Sequence, residues 1–156
     1  MTSSEGRITG LQRSAGGVPK LSVEHAHVDA GGMEGDRQAN RKYHGGPDRA
    51  LCLYSQERLD VLSAEGHPVG RGALGENVTI AGLSWELVQP GARLRLGAVE
   101  AEVTAFAPPC KTIGPAFAGK QFTRVSQVVN PGWSRVYVRI LVEGDLSVGD
   151  CVTLAS

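Results

Sequence analysis

Short stretches of the chain either alternate hydrophobic with polar residues or form brief apolar runs, as β-strands with a buried face do. Strands are predicted at residues 7–13, 21–28, 50–54, 76–80, 93–96, 99–103 and 136–142, with a turn and strand within 146–154. A turn at 97–98 joins two of them as a hairpin. A helix is predicted over 56–64, where Leu59 and Leu62 are three residues apart and Ser55 can act as the N-cap.

Glycine and proline are spread along the chain and are not gathered in a linker. The 21 glycines and 8 prolines predict many sharp turns between short strands, which favours a β-rich barrel or sandwich. A second, irregular helix is predicted after Cys110. The length of 156 residues fits a single domain over 1–156.

Charge and cysteine content argue against several classes of protein. The chain has 16 basic and 16 acidic residues, so generic binding to nucleic acid or to a membrane surface is not expected. No apolar run approaches the length of a membrane span, and the first residues lack the apolar centre of a signal peptide. The three cysteines form no CxxC pair, which argues against zinc-ribbon and thioredoxin folds and fits a cytoplasmic location.

One segment, 104–141, carries positive charge without any Asp or Glu. Its basic residues are Lys111, Lys120, Arg124, Arg135 and Arg139. Cys110 lies among them, after two prolines that favour a loop. Lys111 and the other cations favour the thiolate, the form that attacks electrophiles or binds metal. The segment therefore predicts a thiolate beside an anion-binding wall, although a lone cysteine is more often a small buried hydrophobic residue.

A second polar segment, 35–49, is a candidate ligand loop. It contains four cations: Arg37, Arg41, Lys42 and Arg49. His44 titrates near neutral pH, and Gly45 with Gly46 permits close backbone approach to a ligand and an anion-binding nest of N–H groups. The alternative is a solvated Gly-Gly-Pro turn.

Other polar residues have simpler explanations. Asn77, at a strand start, offers a donor and an acceptor to a heterocycle, or it caps the strand. Cys52 and Cys151 are predicted in the core. His25 and His27 share one strand face without a third metal ligand nearby, which favours structural roles.

Taken together, these patches resemble the MOSC domain, the C-terminal module of molybdenum-cofactor sulfurases that also occurs as small stand-alone bacterial proteins. The residues that carry this resemblance are 35–51, 75–78 and 109–111, together with the closing run 143–150. The resemblance implies a mainly β fold, a closed β-barrel with one or two peripheral helices. It implies a bound molybdenum cofactor, with Cys110 as molybdenum ligand and catalytic residue.

The other site residues follow from the same resemblance. Arg37, Lys42, His44 and Lys111 would hold the cofactor phosphate or the substrate, with Gly45 beside them. Asn77 would contact the pterin. Ser134 departs from the family pattern, in which a Tyr is expected.

The resemblance implies an oxidoreductase component that reduces small N-hydroxylated compounds with electrons from a separate reductase protein. Two alternatives remain. Cys110 would carry a persulfide for cluster or cofactor assembly, or Lys111 would form an imine with pyridoxal phosphate. A homodimer is a further expectation, since small barrels with glycine-rich edges often pair.

Overall fold

A computed structural model describes residues 3–14, 19–36 and 47–155. Eleven strands and one α-helix lie in this part of the chain. The strands are β1 (Glu5–Arg13), β2 (Leu21–Val23), β3 (His25–Asp29), β4 (Gly32–Met33), β5 (Leu51–Ser55), β6 (Val78–Ala81), β7 (Arg93–Leu96), β8 (Val99–Ala107), β9 (Arg135–Val142), β10 (Gly144–Ser147) and β11 (Cys151–Leu154). The helix is α1 (Gln56–Ala64).

Seven of the strands form a closed barrel. Their order is β11-β7-β8-β9-β5-β6-β1, and the pairing of β11 with β1 closes it. β2 extends the sheet from β1, while β10, β3 and β4 form a small separate sheet. The predicted mainly β, closed-barrel fold is confirmed. No helix in the described ranges is long and apolar enough to cross a membrane.

The predicted helix is confirmed from its first residue. Ser55 Oγ accepts a hydrogen bond from the backbone N–H of Arg58 at 3.1 Å, as an N-cap does. Leu59 and Leu62 are buried. The helix crosses between β5 and β6, which pair in parallel while the other neighbouring barrel strands are antiparallel.

Alternate residues of the strands fill the barrel interior. The contributors from β5, β6 and β9 are Leu51, Leu53, Val78, Ile80, Val136 and Val138, each at most 1% exposed. Burial of this apolar surface is the main favourable contribution to folding. The hairpin of β7 and β8 is confirmed, with β8 continuing to Ala107.

Two strand predictions differ from the structure. The predicted strand over 21–28 is broken at Glu24, because the chain leaves β1 there and enters the small sheet beside β10. The Glu24 carbonyl accepts from Val148 N–H at 3.0 Å at this corner. The two-residue strand β4 follows in a segment for which no strand was predicted.

One of the two predictions of a core cysteine is confirmed and the other is wrong. Cys52 is buried, as predicted, but Cys151 is exposed, so its placement in the core was wrong. Val152 takes the interior position of β11, and strand alternation turns Cys151 outward. The irregular helix predicted after Cys110 is confirmed as three short 3-10 helices, Lys111–Ala116, Ala118–Lys120 and Phe122–Val125.

Candidate functional site

A group of polar residues lies on the outside of the barrel and is nevertheless buried. Gln12, Thr79, Cys52 and Arg135 alternate with interior residues along the neighbouring strands β1, β6, β5 and β9. Glu76, just before β6, lies among them, and all five are at most 5% exposed. We call these five residues the covered polar face. A polar surface that loops cover must satisfy its hydrogen bonds within the protein.

Glu76 is the carboxyl group of the covered polar face. Its Oε1 accepts from Leu74 N–H at 3.3 Å, and its Oε2 accepts from the Thr79 hydroxyl at 3.5 Å. Burial raises the pKa of Glu76 to about 7, although backbone N–H groups and the positive Arg135 oppose the rise. The group therefore changes charge near neutral pH inside the protein.

Asn77 connects three strands from a position with no exposed surface. Its Oδ1 accepts from Cys52 N–H at 3.0 Å, and its Nδ2 donates to the Gln12 carbonyl at 3.3 Å. Its side chain is thus bound to the backbone of β5 and β1. This geometry agrees with the capping interpretation of Asn77 and gives no support to the expected contact with a pterin.

Arg135 holds two loops together. Its Nη1 donates to the Leu74 carbonyl at 2.8 Å, and its Nη2 donates to the Pro108 carbonyl at 3.0 Å and the Ala107 carbonyl at 3.4 Å. The planar guanidinium suits two acceptors on different segments. The loop that precedes Glu76 and the loop that leads to Cys110 are joined through this one side chain.

Cys110 follows that junction and is half-buried. Its backbone is extended, and its carbonyl accepts from Ile113 N–H at 3.1 Å as the 3-10 helix Lys111–Ala116 begins. Lys111 is exposed beside it. The thiol therefore lies on a loop, as predicted, in a residue that is partly exposed.

Tyr137 lies against the end of the candidate ligand loop. The Arg49 guanidinium lies 5.2 Å above the Tyr137 ring, and the Thr104 hydroxyl donates to the Asp48 carbonyl. Burial raises the pKa of Tyr137 to about 12; Cys52 and, less strongly, Cys110 add to the rise, while Arg135 and Arg49 oppose it. Cys110 and Arg49 thus lie close enough to the same ring to act on it electrostatically.

The other end of the ligand loop is held by a buried ion pair. Lys20 Nζ lies 2.8 Å from Asp36 Oδ2, with both side chains 4% exposed, and Ser14 N–H donates to Asp36 Oδ1 at 2.9 Å. The segment predicted to bind a ligand is therefore anchored at Asp36 and at 47–49. The candidate residues Arg37, Lys42, His44 and Gly45 lie outside the described residues.

Two of the five cations of the predicted anion-binding wall are paired with carboxylates in three dimensions. Arg124 makes two hydrogen bonds of 2.9 Å to Glu65, and Arg139 pairs with Glu102. Arg135 binds backbone carbonyls. The segment lacks acids in sequence, but carboxylates from other elements reach it. Of its five cations, Lys111 and Lys120 remain exposed and form no ion pair within the described residues.

Several residues of the site were missed by sequence reasoning. Glu76 was considered only as part of the patch around Asn77, and Tyr137 was read as an ordinary strand residue. The available signal was the alternation of side chains along a strand. Cys52 and Tyr137 each lie between two interior residues, so their side chains must point outward. Outward positions on a barrel are normally exposed, so only the covering loops reveal that these residues are buried.

The described residues contain no group of three or more His, Cys, Asp or Glu side chains arranged to hold a metal ion. What the structure offers to a metal here is the one half-buried thiol of Cys110. Such an arrangement suits a metal that arrives with other ligands already bound, since a bare ion needs several protein ligands.

The domain is thus a closed barrel in which the half-buried Cys110 follows a loop that Arg135 joins to the covered polar face. The sequence model of the MOSC domain matches residues 40–153, and the chain belongs to this family. It is 37% identical over 128 residues to "Uncharacterized protein YflK" of Bacillus subtilis (strain 168), covering 80% of this chain and 56% of that protein. It is 34% identical over 107 residues to "Protein YiiM" of Escherichia coli (strain K12), covering 65% and 48%.

The chain therefore spans about half the length of these curated relatives. Among solved structures, the YUAD protein from Bacillus subtilis superposes with a TM-score of 0.72 at 16% identity, covering 99% of this chain and 98% of that one. The likeness to YUAD shows the fold alone.

Proposed function

We propose that this protein binds a molybdenum cofactor and reduces N-hydroxylated compounds with electrons from a separate reductase. The observation that carries the proposal is Cys110: a half-buried thiol on a loop fixed by Arg135, within electrostatic reach of the ring that Arg49 covers. Membership of the MOSC domain family supports the same cofactor. The proposal places the protein in the cytoplasm, where its three free cysteines would stay reduced.

The residues present fit such a group. A thiolate is a soft ligand suited to a heavy transition metal, and one is enough where the cofactor itself supplies sulfur ligands. The exposed Lys111 beside Cys110 suits a phosphate as a point charge.

The reaction requires two electrons and two protons for each N–O bond broken, and it yields an amine and water. Molybdenum would supply the two-electron exchange when bound. The protein's own residues would hold and orient the cofactor through Cys110 and Lys111. The electrons would come from the partner reductase.

A persulfide carrier is the second candidate, and the accessibility of Cys110 favours it equally. In that function Cys110 would hold one extra sulfur atom and transfer it to an acceptor thiolate or metal centre. The pyridoxal-phosphate alternative has less support, because imine-forming lysines are usually desolvated and Lys111 is exposed.

Metal analysis of two matched variants tests the proposal. The protein would be purified after co-expression with molybdenum-cofactor synthesis, alongside Cys110→Ser and Cys151→Ser. We expect molybdenum in the wild type and in Cys151→Ser, whose thiol is exposed on β11, and loss of nearly all metal from Cys110→Ser. Reduction of a hydroxylamine by an artificial electron donor should follow the metal content.

Absence of molybdenum from the wild type under these conditions would reject the first candidate. Mass spectrometry of Cys110 then decides the second, because a carrier would show an added sulfur atom that a reductant removes. A visible absorbance band lost on borohydride treatment would instead indicate pyridoxal phosphate on Lys111.

A further inference from the structure

Arg135 is a buried cation whose side chain donates to backbone carbonyls. It is the first residue of β9, and 5% of its surface is exposed. No carboxylate in the described parts of the chain forms an ion pair with it. Burying a charge is costly unless it is paired or well hydrogen-bonded. The position therefore calls for an explanation other than stability.

The guanidinium of Arg135 donates to two loops of the site and to Ala107 at the end of β8. The Pro108 carbonyl that accepts at 3.0 Å belongs to the residue two positions before Cys110. The Leu74 carbonyl that accepts at 2.8 Å lies two positions before Glu76. The Arg135 Nε atom is buried and has no partner among the described residues. The guanidinium of Arg135 thus holds the backbone two residues before Cys110 in place, while its Nε–H has no acceptor among the described residues.

The charge of Arg135 also acts across the covered polar face. It opposes the effect of burial on the pKa of Cys52, Tyr54 and Tyr137, and it lowers the pKa of Glu76 in the same way. In a poorly hydrated region a single charge has a long reach. Arg135 is therefore both the link between the two loops and a positive charge that acts on the buried groups around it.

We propose that Arg135 is the positioning residue of Cys110, fixing the loop that leads to the thiol through the Pro108 carbonyl, which accepts from Arg135 Nη2 at 3.0 Å. This deepens the proposed function, since it concerns the same thiol. Its test does not require a bound cofactor, because the chemistry of a free thiol reports its surroundings.

The rate at which iodoacetamide alkylates Cys110 at a single pH, followed by mass spectrometry, tests this role. The variants are Arg135→Gln, which removes the charge, and Arg135→Lys, which keeps the charge but not the planar fork. Arg139→Gln is the control, because Arg139 lies on the same strand but is exposed and pairs with Glu102. All are made in a Cys151→Ser background so that the exposed thiol of Cys151 does not compete.

We expect Arg135→Gln to change the alkylation rate at least about fivefold, since charged hydrogen bonds contribute more than neutral ones. Arg135→Lys, which can still donate to one of the carbonyls, should change the rate less. Arg139→Gln should match the background protein. Folded Arg135 variants with the background rate would overturn the proposal.

A second measurement uses the protein with Arg135 intact, in case the variants do not fold. The Arg135 Nε–H resonance in a ¹⁵N-labelled sample should shift when Cys110 is alkylated, and an unchanged resonance would count against the proposal. If the protein binds no molybdenum and Cys110 still depends on Arg135, the proposed reductase function fails and the positioning role stands.

Discussion

The two faces of strands β5 and β9 are both buried, yet they differ in chemistry. The interior face carries Leu51, Leu53 and Val136, while the covered polar face carries Cys52 and Arg135 on the same strands. Apolar side chains inside stabilise the barrel in proportion to the surface that they bury. Polar ones outside contribute less to stability and must be kept hydrogen-bonded. The difference indicates that the interior maintains the fold and that the covered polar face positions the site.

The covered polar face is the costlier of the two. Burial raises the pKa of the Cys52 thiol to about 11 and that of Glu76 to about 7. Each shift means that the charged form of the group is disfavoured inside the protein. A region built for stability alone would use apolar residues here. Removing the ionisable groups of the covered polar face should therefore reduce its pH-dependent cost to stability and make it more like the interior.

Glu76→Gln should have the largest effect, on the pH dependence of stability. The folded-state pKa of Glu76 is raised from 4.5 to about 7 by burial, so the folded protein holds a proton that the unfolded chain releases. This stabilisation is complete below about pH 4.5 and is lost as pH rises through about 7, on the order of 3 kcal/mol in total.

Urea unfolding of Glu76→Gln below pH 4.5 and at about pH 8 measures this effect. The wild type should lose more free energy of unfolding over that interval than the variant does, because glutamine keeps an acceptor for Leu74 N–H and has no charge to bury. Glu24→Gln changes an exposed glutamate and should follow the wild type. Equal losses in all three proteins would contradict the assignment of Glu76.

A reciprocal pair of substitutions in β6 tests the faces directly. Thr79 lies on the covered polar face and Val78 next to it in the interior, and threonine and valine have nearly the same shape. Thr79→Val removes the hydroxyl that accepts from Gln12 Nε2 at 2.9 Å and leaves that amide unsatisfied. Val78→Thr places a hydroxyl among apolar side chains.

Each of these variants should lose roughly 1–3 kcal/mol of free energy of unfolding, measured by urea titration. Only Thr79→Val should also alter the alkylation rate of Cys110, because it disturbs the hydroxyl next to Glu76. If Thr79→Val instead stabilises the protein and leaves Cys110 unchanged, the covered polar face has no role in the site.

The smallest effect is expected at an exposed pair in the small sheet. His27 Nδ1 lies 2.7 Å from Asp145 Oδ1, and this hydrogen bond raises the pKa of His27 above its ordinary value. Asp145→Asn should lower that pKa in an NMR titration. Asp29→Asn should lower it less, because Asp29 acts only through its charge at longer range. The contribution of the His27–Asp145 pair to stability is present below about pH 6.5 and is lost as the pH rises through the raised pKa of His27.

Local patterns predicted much of the fold. Ser55, Leu59 and Leu62 gave the helix to its first residue, because capping and helical spacing act within one or two turns. The hairpin around 97–98 was predicted for the same reason. The strand over 21–28 was predicted wrongly as continuous, since a change of sheet at Glu24 depends on which distant strand is available for pairing.

The site was predicted only in part. Cys110 and Lys111 were selected from the residues around them, and both lie at the surface of the site. Cys151 was misplaced because its neighbour Val152 is apolar, and a strand alternates at every residue. Arg124 and Arg139 looked like anion-binding cations until Glu65 and Glu102 reached them from elsewhere in the chain.

The sequence by itself determined the alternation, the turns, the helix and the one thiol placed on a loop. These features depend on residues a few positions apart, whose interactions are fixed by backbone geometry. Only the tertiary structure decided that Arg135 and Glu76 are buried together, that Asn77 faces the backbone, and that Cys110 is approached through Pro108. Those contacts join segments 25 to 65 residues apart, and closure of the barrel brings them together.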